Sequence, residues 1–452
     1  MPSENKMGVM PVNRLLVTMA LPMMVSMIIQ AMYNIVDSFF VAQISEEALI
    51  AVTLFFPIHI VIIGINSGTG VGINALLSKR LGEKKFEEAD KVAANAIFLT
   101  LIGYLVVLSF GIFCAQLYYE TQTDNPQIIE LGREYLAITT RFSFGIFFLI
   151  VFEKLLQATG RTAYSMICQI TGAVLNIFLD WVLIFGNLGL PAMGVRGAAL
   201  ASVIAQCVAA IVALIINLKF NSDIRLKIKN ILPYAAIVKR IYKVGAPSAI
   251  MDFSGAFMLF TLNNILINFS ESAAAVLGVY FRLQSFIYMP VFGMNNGLIP
   301  IIAYNYGAGF KKRIKKAIKL AITYAVVIML SGLAVMSFFA ERLLLIFNAS
   351  PQMLEIGIPA LRILSLCYIF AGFNIVSLAV CQALGRGVLS MSASVVRQFL
   401  VIIPMSYILT NTLGAAFVWW SFPIAETVTL VLCIIYLKIM YAKINKIRGE
   451  KA

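Results

Sequence analysis

Two series of polar residues sit inside otherwise apolar segments. Ser26, Gln30, Asn34 and Asp37 follow at steps of four, four and three, which keeps them on one face of a helix. Gln169, Asn176 and Asp180 step by seven and four, again along one face. A carboxylate in an apolar surround is costly and marks a functional position. Two such acids with carboxamides beside them offer hard oxygen ligands to Na⁺. They equally suit a shared proton, which relieves like-charge repulsion. The residues leave both readings open. Elsewhere Asp252 lies in an apolar segment, with Asn263 eleven residues on along the same face and Asn264 beside it, and Glu426 lies in another. Glu153 and Lys154 are neighbours, and adjacent side chains do not face each other on a helix, so each is expected to find a different partner or to reach the interface.

Such side chains need a membrane bundle to hold them. The 452-residue chain is 61% hydrophobic and 12% charged, against about 45–50% and about 25% in a soluble domain; its charges are too few to cover a soluble surface. A spanning helix takes about 20 mostly apolar residues. Such runs occur at 15–41, 48–77, 92–117, 134–158, 163–186 and 197–218, then at 241–268, 273–305, 318–340, 354–383, 391–412 and 415–438. They are too continuous for the alternating strands of a membrane barrel. The prediction is an all-α polytopic membrane protein of twelve transmembrane helices. The first run is too long for a cleavable signal and is read as the first helix, after a short amphipathic start at 1–14. Gly68, Gly70 and Gly72 fall inside a span and predict close helix packing. His59 has no second ligand in view, and Cys114, Cys168, Cys207, Cys367, Cys381 and Cys433 show no paired spacing, so neither a metal centre nor a disulfide framework is expected. No phosphate-binding G-x-x-x-x-G-K-[ST] loop occurs, and no nucleophile–base constellation suggests an enzyme. Twenty Met and 32 Phe supply the flexible and aromatic surface that suits bulky apolar ligands.

The net charge of +14 is unevenly placed. Loops on the side of the N-terminus collect Lys79, Arg80, Lys84, Lys85 and Lys91; Lys219, Arg225, Lys227, Lys229, Lys239, Arg240 and Lys243; and Lys311, Lys312, Arg313, Lys315, Lys316 and Lys319. The tail adds Lys438, Lys443, Lys446, Arg448 and Lys451, while the opposite side holds only Arg133, Arg196 and Arg342. The positive-inside rule puts both termini in the cytoplasm. One span more or fewer would destroy the pattern. Topology therefore explains the clusters, and no nucleic-acid partner is expected. Few cations lie within spans: Arg141, Arg282, Arg362 and Arg397. Arg282 is expected to neutralise an acid.

QATGRTAYSM at 157–166 matches QALGRGVLSM at 382–391 in six of ten positions, at an offset of 225 residues. The same offset sets Pro22 on Pro247 and Gly82 on Gly307. An offset of six helices preserves direction, so the repeat is parallel, with its axis along the membrane normal. The expected organisation is two six-helix lobes related by a parallel pseudo-two-fold: an N-lobe at 1–218, a cytoplasmic linker at 219–240 and a C-lobe at 241–452.

NIFLDWVLIFG (176–186) followed by GLPAMGVRGAALASVIAQ (189–206) closely resembles the pattern of multidrug and toxic compound extrusion (MATE) transporters. ALPMMVSMIIQAMYNIVDSFFVAQ (20–43) resembles that family's first helix, GVGINALLSKRLGEKK (70–85) its second helix and basic loop, and QATGRT and QALGRG its repeated end-of-helix motif. The resemblance covers the whole chain and is closest to the bacterial MepA-like drug exporters. It implies antiport, with H⁺ or Na⁺ entering as a drug leaves. It assigns ion coupling to Asp37, Asn176 and Asp180, with Ser202 standing where the family has a Thr, and helix bending to Pro22. The C-lobe-coupled members carry acids on helices 7 and 10. Here helix 7 has Asp252 in an uncertain register and helix 10 has no acid past Glu355, which argues against that type. Gln30, Asn34, Asp252 and Asn263 are candidate substrate-binding residues.

The expectation is a secondary multidrug antiporter of the bacterial inner membrane. It would be monomeric and multi-pass, would exchange amphipathic organic cations for H⁺ or Na⁺ by rocking its lobes, and would need no other cofactor. Its partners would be small-molecule drugs and membrane lipids. The alternative is a lipid-linked saccharide flippase of the same superfamily, which would need a larger cationic cavity for pyrophosphate.

Overall fold

The computed structural model describes residues 5–226, 233–267, 270–347 and 349–447. Long helices dominate it, and we number the crossings α1 to α12. In the first half these are α1 Val12–Ala42, α2 Glu46–Gly82, α3 Phe86–Phe113, α4, α5 Thr162–Phe185 and α6 Gly194–Phe220. In the second they are α7 Ala235–Ile267, α8 Glu271–Ala308, α9 Lys311–Phe338, α10, α11 Gly387–Leu413 and α12 Ser421–Asn445. Two crossings are bent: α4 joins Pro126–Arg141 to Phe144–Ala158 at 44°, and α10 joins Pro351–Ser365 to Tyr368–Ala383 at 48°. Counting each pair once gives twelve spans among the described residues. The chain is a multi-pass membrane protein.

Local chemistry sets the helix ends. Ser45 accepts a hydrogen bond from the Ala48 amide, and Glu46 and Glu47 follow in the first turn of α2, satisfying orphan N–H groups and the helix dipole. The two copies of the repeated motif fold alike. Gly160 after α4 (φ +84°) and Gly385 after α10 (φ +75°) both take the left-handed conformation that glycine adopts without steric cost. The next amide bonds back in the same way in each copy, Arg161 N to Leu156 O at 2.7 Å and Arg386 N to Cys381 O at 2.8 Å.

The helices extend beyond the predicted spans into the basic clusters. Lys79 and Arg80 lie in α2, Lys91 in α3, Lys219 in α6, Lys239, Arg240 and Lys243 in α7, and Lys311–Lys319 in α9. These positions were expected in loops. Helices end where caps or breakers end them rather than where the hydrocarbon does. The connector between halves is correspondingly shorter than 219–240: α6 ends at Phe220 and α7 starts at Ala235. Lys227, Lys229, Arg448 and Lys451 lie outside the described residues.

The two halves meet through α1 against α8 and α2 against α7. Small residues carry the seam, as the glycine run predicts. A Cβ on Gly68 would stand 2.6 Å from the Gly245 oxygen, one on Gly72 2.2 Å from the Ile241 oxygen, one on Gly82 2.0 Å from the Tyr304 oxygen and one on Gly297 2.8 Å from the Met19 oxygen. All these contacts lie in the portions of the helices nearest the N-terminal side of the bundle. The short helix Lys6–Val9 closes the same end, where Asn305 and Arg313 both donate to the Met7 carbonyl at 3.0 Å.

Candidate functional site

The stripes on α1 and α5 converge. Ser26, Gln30 and Asn34 of α1 and Gln169 and Asn176 of α5 line one cavity of about 130 Å³, closed by α2, α4 and α6. Helical period puts each stripe on one face, and the packing of α5 on α1 and α6 turns those faces together. Ser26 is fully buried, while Gln30 and Asn34 are exposed to the cavity side.

Beyond Asn176 the stripes end in their acids. The Asp37 and Asp180 carboxyls come within hydrogen-bonding reach of each other. Asp180 is 0% exposed and Asn176 2%. We orient the Asn176 amide so that Nδ2 donates to Asp180 Oδ2 at 3.1 Å, while its oxygen accepts from Ser202 Oγ and N at 3.2 Å each. This orientation alone gives the amide a donor towards the acid and an acceptor towards the hydroxyl. Asp37 Oδ1 and Asp180 Oδ1 stay buried without a hydrogen bond, a state that costs free energy unless a cation or proton satisfies them. The oxygen-rich donor set fits either.

Glu153 was not among the predicted site residues. It is 5% exposed and sits in the cavity wall, where Gln169 Nε2 donates to its Oε2 at 2.8 Å and Oε1 has no partner. Its neighbour Lys154 points elsewhere, donating to Gln157 Oε1 and Asn296 Oδ1 at 3.0 Å each. The signal lay in the Gln169 position on the α5 stripe. Tyr33, His59 and Gln206 also line the cavity.

The remaining candidates are not drawn into this site. Asp252 is exposed on α7 and reaches Ser67 of α2. Asn263 is exposed further along α7. Neither lines the cavity. Pro22 lies within α1, which runs unbroken from Val12 to Ala42. Arg282, expected to neutralise an acid, is exposed, as are Arg141 and Arg362, and among the described residues none of the three pairs with a carboxylate. Arg397 instead pairs with the buried Glu426 of α12, whose other oxygen accepts from Asn374 Nδ2 of α10 at 2.7 Å. Arg397 stands in a π-helical stretch of α11, Val396–Ile402, a deformation often found at functional positions.

The family model MatE matches residues 22–182 and 247–408. The two segments begin 247 − 22 = 225 residues apart, the offset of the internal repeat. The chain is similar to the "Multidrug export protein MepA" of Staphylococcus haemolyticus, with 26% identity over 96% of this chain and 94% of that one. The protein of the same name in Staphylococcus aureus strain NCTC 8325 is 27% identical, over 94% of each. A solved multidrug resistance MATE transporter in an outward-facing conformation superposes with a TM-score of 0.92, covering 99% of both chains at 26% identity. This chain belongs to the MatE family.

Proposed function

We propose that this protein is a secondary multidrug antiporter that exports amphipathic, often cationic, compounds in exchange for H⁺ or Na⁺. The observation that carries the reading is the pair Asp37 and Asp180, with buried oxygens free for an ion, one helical turn beyond a cavity lined by the same two helices. In this reading Asp37, Asn176, Asp180 and Ser202 bind the coupling ion. Gln30 and Asn34, now joined by Glu153, face the drug. Asp252 and Asn263 would meet substrate only in the cleft between the halves.

The two halves act as an N-lobe of α1–α6 and a C-lobe of α7–α12. Both termini lie in the cytoplasm of a bacterium whose inner membrane holds the protein as a monomer. With the lobes sealed on the N-terminal side, this arrangement is the outward-facing one. Ion binding at the acids weakens drug binding, and the loaded carrier returns. Such exchange needs coupling free energy between the two sites. Pro22 lacks an amide proton and loosens α1 locally, which gives the helix a place to bend as the site fills. The names of the relatives support the export reading, and the acids support the coupling.

The test is efflux of a fluorescent organic cation from cells under imposed pH and Na⁺ gradients, comparing wild type with Asp37→Asn at equal membrane expression. Export by wild type alone supports the scheme, and the driving gradient names the ion. Equal export by both moves coupling away from the N-lobe. Export by neither turns the reading towards another cargo.

A further inference from the structure

A second cavity, of about 410 Å³, opens on the N-terminal side of the bundle between α2, α7, α12 and the turn joining α10 to α11. Its wall carries Lys79, Arg80, Arg240, Lys243, Arg386 and Lys443, and no carboxylate. We propose that it binds a phosphate-bearing anion, which ties the two halves together on this side.

The cations are not equally free. Arg80 is held by Glu83 and Glu88, and Lys79 stands 3.7 Å from Glu83. Among the described residues no carboxylate bridges Arg240, Lys243, Arg386 or Lys443. Among the described residues Lys443 Nζ has only the Leu384 carbonyl as a hydrogen-bond partner, at 2.6 Å. Lys79 and Lys443 also stand 5.4 and 5.2 Å from the centroid of the same Tyr306 ring, so like charges crowd one aromatic side chain. Ala75, Leu76, Val244 and Ala383 complete the wall, and such an apolar lining strengthens attraction to any anion that enters.

The internal repeat supplies the independent argument. Arg161 and Arg386 are the same residue of the two motif copies, on the same glycine turn. Arg161 is satisfied by the segment that directly follows α6: it reaches Asp223 Oδ2 at 2.9 Å, Ser222 Oγ at 3.1 Å and Asn221 Oδ1 at 3.3 Å. Among the described residues Arg386 has no carboxylate partner, and it lines the cavity together with Lys243 and Lys443. Topology requires basic residues on this side, but it does not require them to converge on one cavity while a twin arginine is neutralised. Several uncompensated charges, two of them guanidinium forks, match a multiply charged phosphate better than a monovalent anion. Basic pockets between membrane helices on the cytoplasmic side take lipid phosphates in this way. Lys79 and Arg80 come from the first half and the other cations from the second, so a bound anion bridges the seam.

The anion is either a lipid headgroup or a free phosphate. The test follows thermal unfolding of the intact purified protein in two arms. In detergent, inorganic phosphate and pyrophosphate are titrated against chloride at matched ionic strength. In nanodiscs, phosphatidylcholine alone is compared with phosphatidylcholine plus phosphatidylglycerol. A saturable rise in Tm is expected in at least one arm. Its midpoint should move at least tenfold higher in Arg386→Gln and in Lys243→Gln, and stay put in Lys316→Gln, whose exposed charge lies outside the cavity. Response in the first arm identifies a free phosphate; response only in the second identifies the lipid. The proposal is overturned if neither arm exceeds its control, or if Lys316→Gln weakens the response as much as the cavity variants do. Lys243→Gln decides the matter should Arg386→Gln not fold.

Discussion

Asp37 on α1 and Asp180 on α5 approach within hydrogen-bonding reach across the helix pair, and each retains one buried carboxyl oxygen without a partner. Among the described residues neither acid is neutralised by a basic side chain, whereas the buried Glu426 has Arg397. The first half therefore leaves its acid pair without an internal cation among the described residues, and the second half closes its buried acid with one.

If Asp37 and Asp180 bind one ion together, they act as a unit. Asp37→Asn and Asp180→Asn should each lower gradient-driven efflux at least tenfold, and the double variant should be no worse than either. Contacting groups that share a partner show this non-additivity. Multiplying defects in the double variant would mean two separate roles.

Ser202 supplies a hydroxyl to the Asn176 oxygen. Ser202→Thr keeps that hydroxyl and should transport like wild type. Ser202→Ala removes one hydrogen bond, worth about 1 kcal/mol, and should raise the ion concentration for half-maximal efflux about fivefold. Equal behaviour of the two variants would remove Ser202 from the site.

Arg397, whose side chain is 30% exposed, pairs with the buried Glu426. Arg397→Met alone leaves Glu426, 4% exposed, without its cation and should cost about 3 kcal/mol of stability, read as a lower Tm in detergent. The apolar double variant Arg397→Met, Glu426→Leu should recover most of the loss. No recovery would show that Arg397 stabilises through other contacts.

Gly72 and Gly82 let the halves touch. A methyl group at either position would meet a backbone oxygen at 2.2 or 2.0 Å, which only separation can relieve. Gly72→Ala should open the N-terminal side, so that a cysteine placed at Leu76 reacts several-fold faster with a membrane-impermeant thiol reagent from that side. Unchanged labelling would mean that the seam adjusts without opening.

The membrane class, the number of crossings, the parallel repeat and the two polar stripes were legible in the sequence, because each depends on local regularity. Helical period alone puts Ser26, Gln30, Asn34 and Asp37 on one face, and a repeated glycine at one offset marks the same left-handed turn twice. The family resemblance pointed to the same residues. Tertiary packing decided which faces meet. It set Asp37 against Asp180, drew Glu153 into the cavity wall, left Asp252 on the seam beside Ser67, and gave Glu426 to Arg397 rather than Arg282. It also gathered cations scattered from Lys79 to Lys443 around one cavity, with Arg161 neutralised by Asp223 and Arg386 without a carboxylate among the described residues. Periodicity fixes where a side chain points on its own helix; its partners come from helices tens to hundreds of residues away, and only the packing of those helices chooses among them.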